Sequence, residues 1–435
     1  MADVQSIKQL FARKVAVCVE PDGVARTKLK ALLAELGFTA DKITIVENHR
    51  LGVKAALIKK PQVILMEYPA VGAPAIEMLA EFRKKAEAAQ NTTVFYMADP
   101  GLPHAKTAAA RDEVDGVLLK PLGFASVARE VGDAVRKVDQ PSLYEKTLRS
   151  ARAVRWAGGN VDVAIHEFQK AHGLASTESD AHASLGELEL ERGKPVDASK
   201  YFTEGLRINS SDYRCLVGLS RSLLDLGKPI DAYKFHEKCL RNFPLLPERV
   251  PEVLRLSLAS KHLDDLVSYQ ELLRKWKMTD PKILRALSGA LVLAARSLVI
   301  RDRAKTAVDY FKRAWELADG NPSARVSVAT AMIRCGVARE AQPLLNDDAA
   351  VAQNAEVLLA QFDDIYRQGD PKQCVTFGVD LLKQGIKSPA LYLGVIEKSV
   401  AMGRRRGVVE EIINQAIRDF PDQTSQFEDY RALLD

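Results

Sequence analysis

The sequence is poor in the residues that build disulfide or metal-linked frameworks. Its 435 residues include five cysteines, and these are scattered singly with no Cys-x-x-Cys pair. This pattern is not that of a disulfide or zinc scaffold, so each cysteine is expected to be a small buried hydrophobic residue. Neither a His-x-x-x-His motif nor a glycine-rich phosphate loop occurs, so no metal, nucleotide or other cofactor is predicted.

A dominant charge and long apolar runs are also lacking. The chain has 62 Lys and Arg against 57 Asp and Glu, interleaved throughout, with a net charge of +5. Such a balance does not demand general nucleic-acid affinity. No continuous 18-residue apolar stretch or N-terminal leader is found, so a cytoplasmic protein without a membrane span is expected. The length is enough for about three domains.

A 34-residue spacing is the most informative feature that is present. Ala164, Ala198 and Ala232 follow one another at this interval, and the first two are followed by an aromatic residue at +4 and a small residue at +7. Positions three and four apart share a helix face, so this pattern makes a notch beside a knob where neighbouring helices can approach closely. An amphipathic segment and a glycine-bearing turn precede the notch. Each unit is therefore predicted to be helix, turn, helix.

This pattern resembles the tetratricopeptide repeat, most clearly over residues 185–202. The resemblance implies an all-α superhelical solenoid of about seven to eight repeats over residues 145–435, after a linker at 139–144. The phase slips once, because Leu266 stands where a small residue is due and the next notch begins at Ala307. That interval is 307 − 266 = 41 residues, seven more than 34. We therefore expect a lengthened helix over 283–300 and a joint near 266–300.

Tetratricopeptide arrays hold peptides or helices in a groove lined by the first helix of each pair. From the phase, Arg149, Glu187, Arg221 and Thr330 are expected to project into this groove. The asparagine with which some relatives bind C-terminal carboxylates is missing, since Ala153, Glu187 and Arg221 stand at the matching places. The expected partner is thus a protein or peptide of another kind, and the residues do not specify its sequence or the oligomeric state.

Residues 1–138 follow a different period. Short β-prone apolar runs alternate with helical patterns there. The five runs span residues 15–19, 43–46, 63–66, 93–97 and 117–119. Continuous apolar runs are typical of parallel strands buried on both faces. The segment is therefore predicted to be a doubly wound, flavodoxin-like α/β domain with a five-stranded parallel sheet.

Three anchors make residues 1–138 resemble the receiver domain of response regulators. Val-Glu-Pro-Asp at 19–22 ends the first strand, Met-Glu-Tyr-Pro at 66–69 closes the third, and Lys120-Pro121 follows the fifth. Receivers place a lysine and usually a cis-proline at this last position. They hold magnesium with two acids after the first strand and accept a phosphoryl group on an aspartate after the third.

The chain departs from the receiver pattern at the positions that carry this chemistry. Pro21 stands at the second acid and cannot bind a metal, and Glu67 replaces the acceptor aspartate with a carboxylate one methylene longer. Met97 or Ala98 stands at the usual hydroxyl position, and Val117 at the usual aromatic. A pseudo-receiver that lacks conventional phosphotransfer is therefore expected.

In this pseudo-receiver, Glu67 is expected to face Lys120 in a pocket that also holds Glu20 and Asp22. Two interpretations remain open. Glu67 imitates a charged acceptor and keeps the surface of the fourth helix and fifth strand in one state for a partner, or the pair merely neutralises itself. No catalytic residue and no metal is assigned to the pocket.

The sequence as a whole predicts a non-enzymatic adaptor or scaffold of bacterial two-component signal transduction, fused from a pseudo-receiver and tetratricopeptide repeats. One alternative is a true response regulator in which phosphorylation, on Glu67 or elsewhere, controls access to the groove. A second alternative is a nucleic-acid-binding regulator, which would bind with a strong dependence on salt.

Overall fold

The computed structural model describes residues 4–68, 73–102, 104–174 and 178–434. Residues 1–3 of the N-terminal segment and Pro69 of the second receiver anchor lie outside this part. The chain divides into two compact units, Met1–Val250 and Pro251–Asp435. This division comes before the interval 266–300 in which the sequence places a joint.

The first unit begins with a parallel sheet of five strands in the order β2-β1-β3-β4-β5. The strands are β1 (Ala16–Val19), β2 (Ile43–Val46), β3 (Val63–Glu67), β4 (Thr93–Ala98) and β5 (Gly116–Leu119). The helices are α1 (Val4–Phe11), α2 (Gly23–Leu36), α3 (His49–Lys59), α4 (Ala73–Lys85), α5 (Ala105–Arg111) and α6 (Phe124–Asp139). This strand order is the flavodoxin-like one, so the predicted α/β fold is confirmed.

The sheet has a hydrophobic core on each face because side chains alternate along its strands. Val17 and Val19 point into the core formed with α3, α4 and α5, whereas Ala16 and Cys18 point into the core formed with α1, α2 and α6. The peptide bond between Lys120 and Pro121 is cis, as the receiver resemblance implies. Because β1, β3 and β5 run parallel, the polar residues at their carboxyl ends lie at one edge of the sheet.

Paired helices make up the rest of the first unit and the second unit. Those of the first unit are α7 (Leu143–Trp156), α8 (Val161–Leu174), α9 (Asp180–Glu191), α10 (Pro195–Ile208), α11 (Tyr213–Asp225) and α12 (Pro229–Asn242). Those that follow are α13 (Val250–Ser260), α14 (Asp264–Lys275), α15 (Pro281–Ile300), α16 (Ala304–Leu317), α17 (Pro322–Arg334), α18 (Ala338–Asn346), α19 (Ala349–Ala352), α20 (Ala355–Gln368), α21 (Pro371–Lys383), α22 (Pro389–Ala401), α23 (Arg406–Asp419) and α24 (Thr424–Arg431). The predicted helical-repeat fold is thereby confirmed.

The notch of the 34-residue pattern is visible around Phe202. Its ring fills the space beside Gly186 on α9 and Gly218 on α11, where an added Cβ would come within 2.6 and 2.2 Å of the ring, respectively. Glycine at these two positions therefore lets three helices pack around one aromatic side chain. The turns between paired helices also follow the prediction, since Gly193 and Gly227 have φ angles of 68° and 71°, which glycine adopts readily.

The lengthened helix that the phase slip predicts is α15, which has 20 residues. By length and composition it is also the one helix in the described part of the chain that could cross a membrane, although Arg285 and Arg296 interrupt its apolar run. Within its most apolar 18-residue window, 44% of the residues are buried inside the protein. Leu287, Leu291 and Leu298 are among these core residues.

Candidate functional site

An acidic pocket with one lysine lies at the carboxyl ends of β1, β3 and β5. Lys120 Nζ lies 2.7 Å from Glu20 Oε2 and also forms an ion pair with Glu67 Oε2. The Lys120 backbone N–H donates to the Ala98 carbonyl at 3.0 Å, which keeps the lysine next to the end of β4. Glu20, Glu67 and Lys120 are thus in direct contact, and Asp22 lines the same cleft as Glu20 and Lys120.

The fourth residue, Asp22, serves the local backbone. Its Oδ1 accepts a hydrogen bond of 2.6 Å from the Ala25 N–H and caps α2. Its own N–H donates to Glu20 Oε1 at 3.1 Å. Asp22 also lines a cleft of about 400 Å³ together with Asp99, a residue that our sequence reasoning missed. The available signal was its position, because Asp99 directly follows β4 as Glu20 follows β1.

Burial and the ion pairs set the protonation of the pocket. Burial raises the pKa of Glu67 above its usual range, although the hydrogen bond from Lys120 opposes this. Burial alone would lower the pKa of Lys120, but its hydrogen bonds to Glu20 and Glu67 outweigh that effect and the pKa is raised. The lysine therefore stays protonated between the two carboxylates. Among the described residues, no group of three or more His, Cys, Asp or Glu is placed to hold a metal ion.

The four residues expected to line one groove have different surroundings. Arg149 Nη2 donates to the Lys137 carbonyl at 3.2 Å, at the end of α6. Glu187 is bound by arginines, as described below, and Arg221 lies beside it in a cleft of about 510 Å³. Thr330 belongs to the second unit and is only 7% exposed. Thr330 therefore does not project into a groove, because its side chain is packed in the core.

A second cluster of charges joins the α/β domain to the repeats of the first unit. Its centre is Glu113, in the loop before β5, whose Oε1 lies 2.6 Å from Arg214 Nη1 and 2.8 Å from Arg152 Nε. Arg83 on α4 donates to the Glu113 carbonyl at 2.8 Å. The carboxylate and the backbone of one loop residue are thus bound by three arginines from different helices.

Arg214 extends this cluster along the repeats. Its Nε donates to Glu187 Oε1 at 2.8 Å and its Nη2 to Glu187 Oε2 at 2.7 Å, a bidentate arrangement. Arg155 Nη1 binds the same carboxylate at 2.6 Å. Arg214 therefore bridges Glu113 of the α/β domain and Glu187 of the repeats. We refer to Glu113, Arg152, Arg155, Glu187 and Arg214 as the ion cluster.

The centre of the ion cluster is buried. The side chains of Glu113 and Arg214 are 10% and 8% exposed. Burial alone would raise the pKa of Glu113, but the surrounding arginines, with Arg152 and Arg214 foremost, hold it well below its usual range. Glu113 is consequently ionised at neutral pH. Each buried charge depends on the others, because an unpaired buried ion is costly.

Apolar contacts continue this junction on both sides of the ion cluster. Helix α5 packs on α11, and α4 packs on α7. Tyr68 and Ala108 of the α/β domain belong to the same buried core as Tyr213, Leu216 and Leu246. At the α4–α7 contact, the guanidinium of Arg83 stacks 4.2 Å from the centre of the Trp156 ring. The surface formed by α4, α5 and the loop before β5 is therefore already occupied by the chain's own repeats.

The fold is thus that of a helical-repeat protein preceded by a five-stranded α/β domain. No family model matches the sequence, and no curated protein matches it. Similar solved structures include three repeat proteins. They are the tetratricopeptide domain of P58(IPK) (16% identity, 67% of this chain, 88% of that chain, TM-score 0.26), PilF of Pseudomonas aeruginosa (17%, 59%, 97%, 0.26) and a human IFIT1 dimer with PPP-AAAA (13%, 96%, 99%, 0.29). At these TM-scores the similarities carry no argument about function.

Proposed function

We propose that this protein is a non-enzymatic, cytoplasmic signalling scaffold whose α/β domain is a permanently docked pseudo-receiver. Lys120 is held by both Glu20 and Glu67, so the lysine that would otherwise contact a phosphoryl group already has two carboxylate partners. The ion cluster and the shared apolar core hold the α4–α5 surface against the repeats. Partner proteins then bind elsewhere on the repeats, and the α/β domain stabilises and orients the repeats of the first unit.

The observation that carries this proposal is the combination of a lysine already paired with two glutamates and a buried α4–α5 surface. A switching receiver must expose or rearrange a surface when its acceptor is modified. Here a rearrangement of α4 and α5 would pull Glu113 away from Arg214 and Arg152 and break the buried ion pairs at the centre of the junction. The scaffold function therefore fits this arrangement better than a phosphorylation-controlled switch does.

Intact-mass spectrometry tests the proposal. The full-length protein is incubated with acetyl phosphate and magnesium beside a receiver that has the complete acidic triad. We expect the control to gain one phosphoryl group and this protein to remain unmodified. An added phosphoryl group that is lost in Glu67→Gln would establish the response-regulator alternative. Tight binding to mixed RNA or DNA that falls steeply with salt would instead favour the nucleic-acid alternative.

A further inference from the structure

An open cleft of about 680 Å³ lies within the second unit, between α13, α15 and α17. Its size is within the range of about 300–1,000 Å³ that is typical of ligand pockets. Apolar residues are part of its lining, among them Leu258 from α13 and Val292 and Leu293 from α15. Leu293 is 53% exposed. The cleft therefore presents apolar side chains that the second unit itself does not cover.

Gly289 lines the cleft without a side chain. It is exposed on α15, and a Cβ added at this position would meet no atom within 4 Å. Glycine in a helix interior is destabilising relative to alanine, and neither close packing nor a positive φ requires it here. The absence of a side chain leaves room for atoms from outside the second unit.

The charged side chains that line the cleft are positive. Arg255 and Arg285 line it, and none of the described residues that line it is an aspartate or glutamate. Arg285 is exposed and has no hydrogen-bond or ion-pair partner within the described part of the chain. This differs from the first unit, where the arginines of the ion cluster are bound by carboxylates. An arginine beside exposed apolar side chains favours a ligand that brings both a carboxylate and apolar groups.

We infer that this cleft binds an acidic, amphipathic peptide segment of a partner protein. The apolar side chains of the segment lie on Leu258 and Leu293, its backbone passes over Gly289, and a carboxylate pairs with Arg285. The inference rests on the proposed scaffold function and adds the location and the chemistry of the partner. Charge complementarity selects an acidic segment, since a basic one would bring like charges together.

The experiment uses the full-length protein and a displayed library of random 12-residue peptides. We expect selection to enrich peptides that combine Asp or Glu with Leu, Ile or Phe. Their binding to Arg285→Glu should be weaker by at least about tenfold, because a favourable charge pair becomes a repulsive one. Lys312→Glu makes the same charge change at an exposed position on α16, outside the cleft. The affinity of the Lys312→Glu variant for the enriched peptides should stay within about twofold of the wild-type affinity.

A second pair of variants tests the shape of the cleft. Gly289→Leu fills open space and should weaken binding of the enriched peptides by about tenfold, while Gly289→Ala should change affinity by less than about threefold. Both substitutions favour the helix, and circular dichroism verifies that both variants are folded. If Gly289→Leu binds as tightly as the wild type, the peptides lie elsewhere and the cleft assignment is overturned.

The remaining outcomes separate this inference from the proposed function. Enrichment of basic peptides, or no enrichment, would overturn the peptide inference. The scaffold function would still stand if the mass assay showed no added phosphoryl group. Phosphorylation in the mass assay would overturn the scaffold function whatever the peptides do. Co-sedimentation with vesicles of phosphatidylcholine and phosphatidylserine that is lost in Arg285→Glu and Gly289→Leu would assign the cleft to an anionic membrane surface and overturn the peptide inference.

Discussion

At the scale of single residues, Glu113 and Arg214 illustrate what the linear sequence conceals. Both are ordinary charged residues in the sequence, 101 positions apart, and neither belongs to a recognised motif. Glu67 and Lys120 were within reach of sequence reasoning, because each stands at the carboxyl end of a strand and these ends lie at one edge of the sheet. No comparable rule pairs a loop of the α/β domain with a helix of the repeats.

Removal of the Glu113 charge should destabilise the first unit. In Glu113→Gln, Arg152 and Arg214 lose a buried carboxylate but keep Asp180 and Glu187, respectively. We therefore expect a loss of about 3 kcal/mol in the free energy of unfolding, at the lower end of the range for a broken buried ion pair. The fluorescence of Trp156, in a Trp276→Phe and Trp315→Phe background, reports urea unfolding at this junction. Glu191→Gln removes the half-exposed partner of Arg155 and should cost less than about 1 kcal/mol. Equal losses in the two variants would contradict a buried junction.

The same residue determines a pH dependence. The pKa of Glu113 is lower in the folded protein than in the unfolded chain, so its contribution to stability is complete above its ordinary pKa of about 4.3 and is lost as the pH falls towards the folded value. The difference in unfolding free energy between the wild type and Glu113→Gln should therefore be constant from pH 7 to about pH 5 and shrink at lower pH. Urea titrations at several pH values measure it. A difference that grows on acidification would exclude this assignment.

At the scale of helices and strands, the local pattern is a reliable guide. Continuous apolar runs predict strands with a core on each face of the sheet, and the small–aromatic–small notch predicts the contact that Phe202 makes with its neighbouring helices. The 20-residue α15 follows from the seven-residue slip. Thr330 was misplaced because helical phase alone does not tell a buried face from an open one once neighbouring helices cover both sides.

Two glycines should respond in opposite directions to the same substitution. Gly218→Ala places a methyl group 2.2 Å from the Phe202 ring, and we expect a loss of about 1–3 kcal/mol from overpacking. Gly289→Ala enters open space and should stabilise its helix by up to about 1 kcal/mol. Urea unfolding followed by circular dichroism measures both changes. If Gly218→Ala were as stable as the wild type, Phe202 would not fill the notch as described.

At the scale of the whole molecule, the domain boundary predicted from the sequence does not coincide with the boundary between the two compact units. The predicted limit at residues 139–144 separates two patterns, but the first compact unit continues to Val250. The reason is the shared core, in which Tyr213, Leu216 and Leu246 of the repeats pack with the α/β domain. A fragment that ends at residue 250 or begins at residue 251 should therefore be stable, and one that begins at residue 145 should not.

A fragment of residues 1–250 should fold cooperatively, whereas a fragment of residues 145–435 should aggregate. The second fragment exposes Tyr213 and Leu216 and leaves Arg214 without Glu113. Sedimentation velocity and thermal melts of both fragments measure this. A residue 251–435 fragment is the control, because it keeps a compact unit intact, and it should remain monodisperse. A monomeric 145–435 fragment with native helix content would contradict the shared core.

The sequence by itself determined the elements of this protein: five parallel strands, helix pairs at a 34-residue period, and Glu67 and Lys120 at the carboxyl ends of strands. These follow from local physics, since side-chain period and turn residues act over a few positions. Only the tertiary structure decided that the α/β domain is docked on its own repeats and that the open cleft lies in the second unit. The docking of one part of the chain on another depends on which apolar surfaces are buried against each other. The local sequence around each residue does not specify its partner when the two are far apart in the chain.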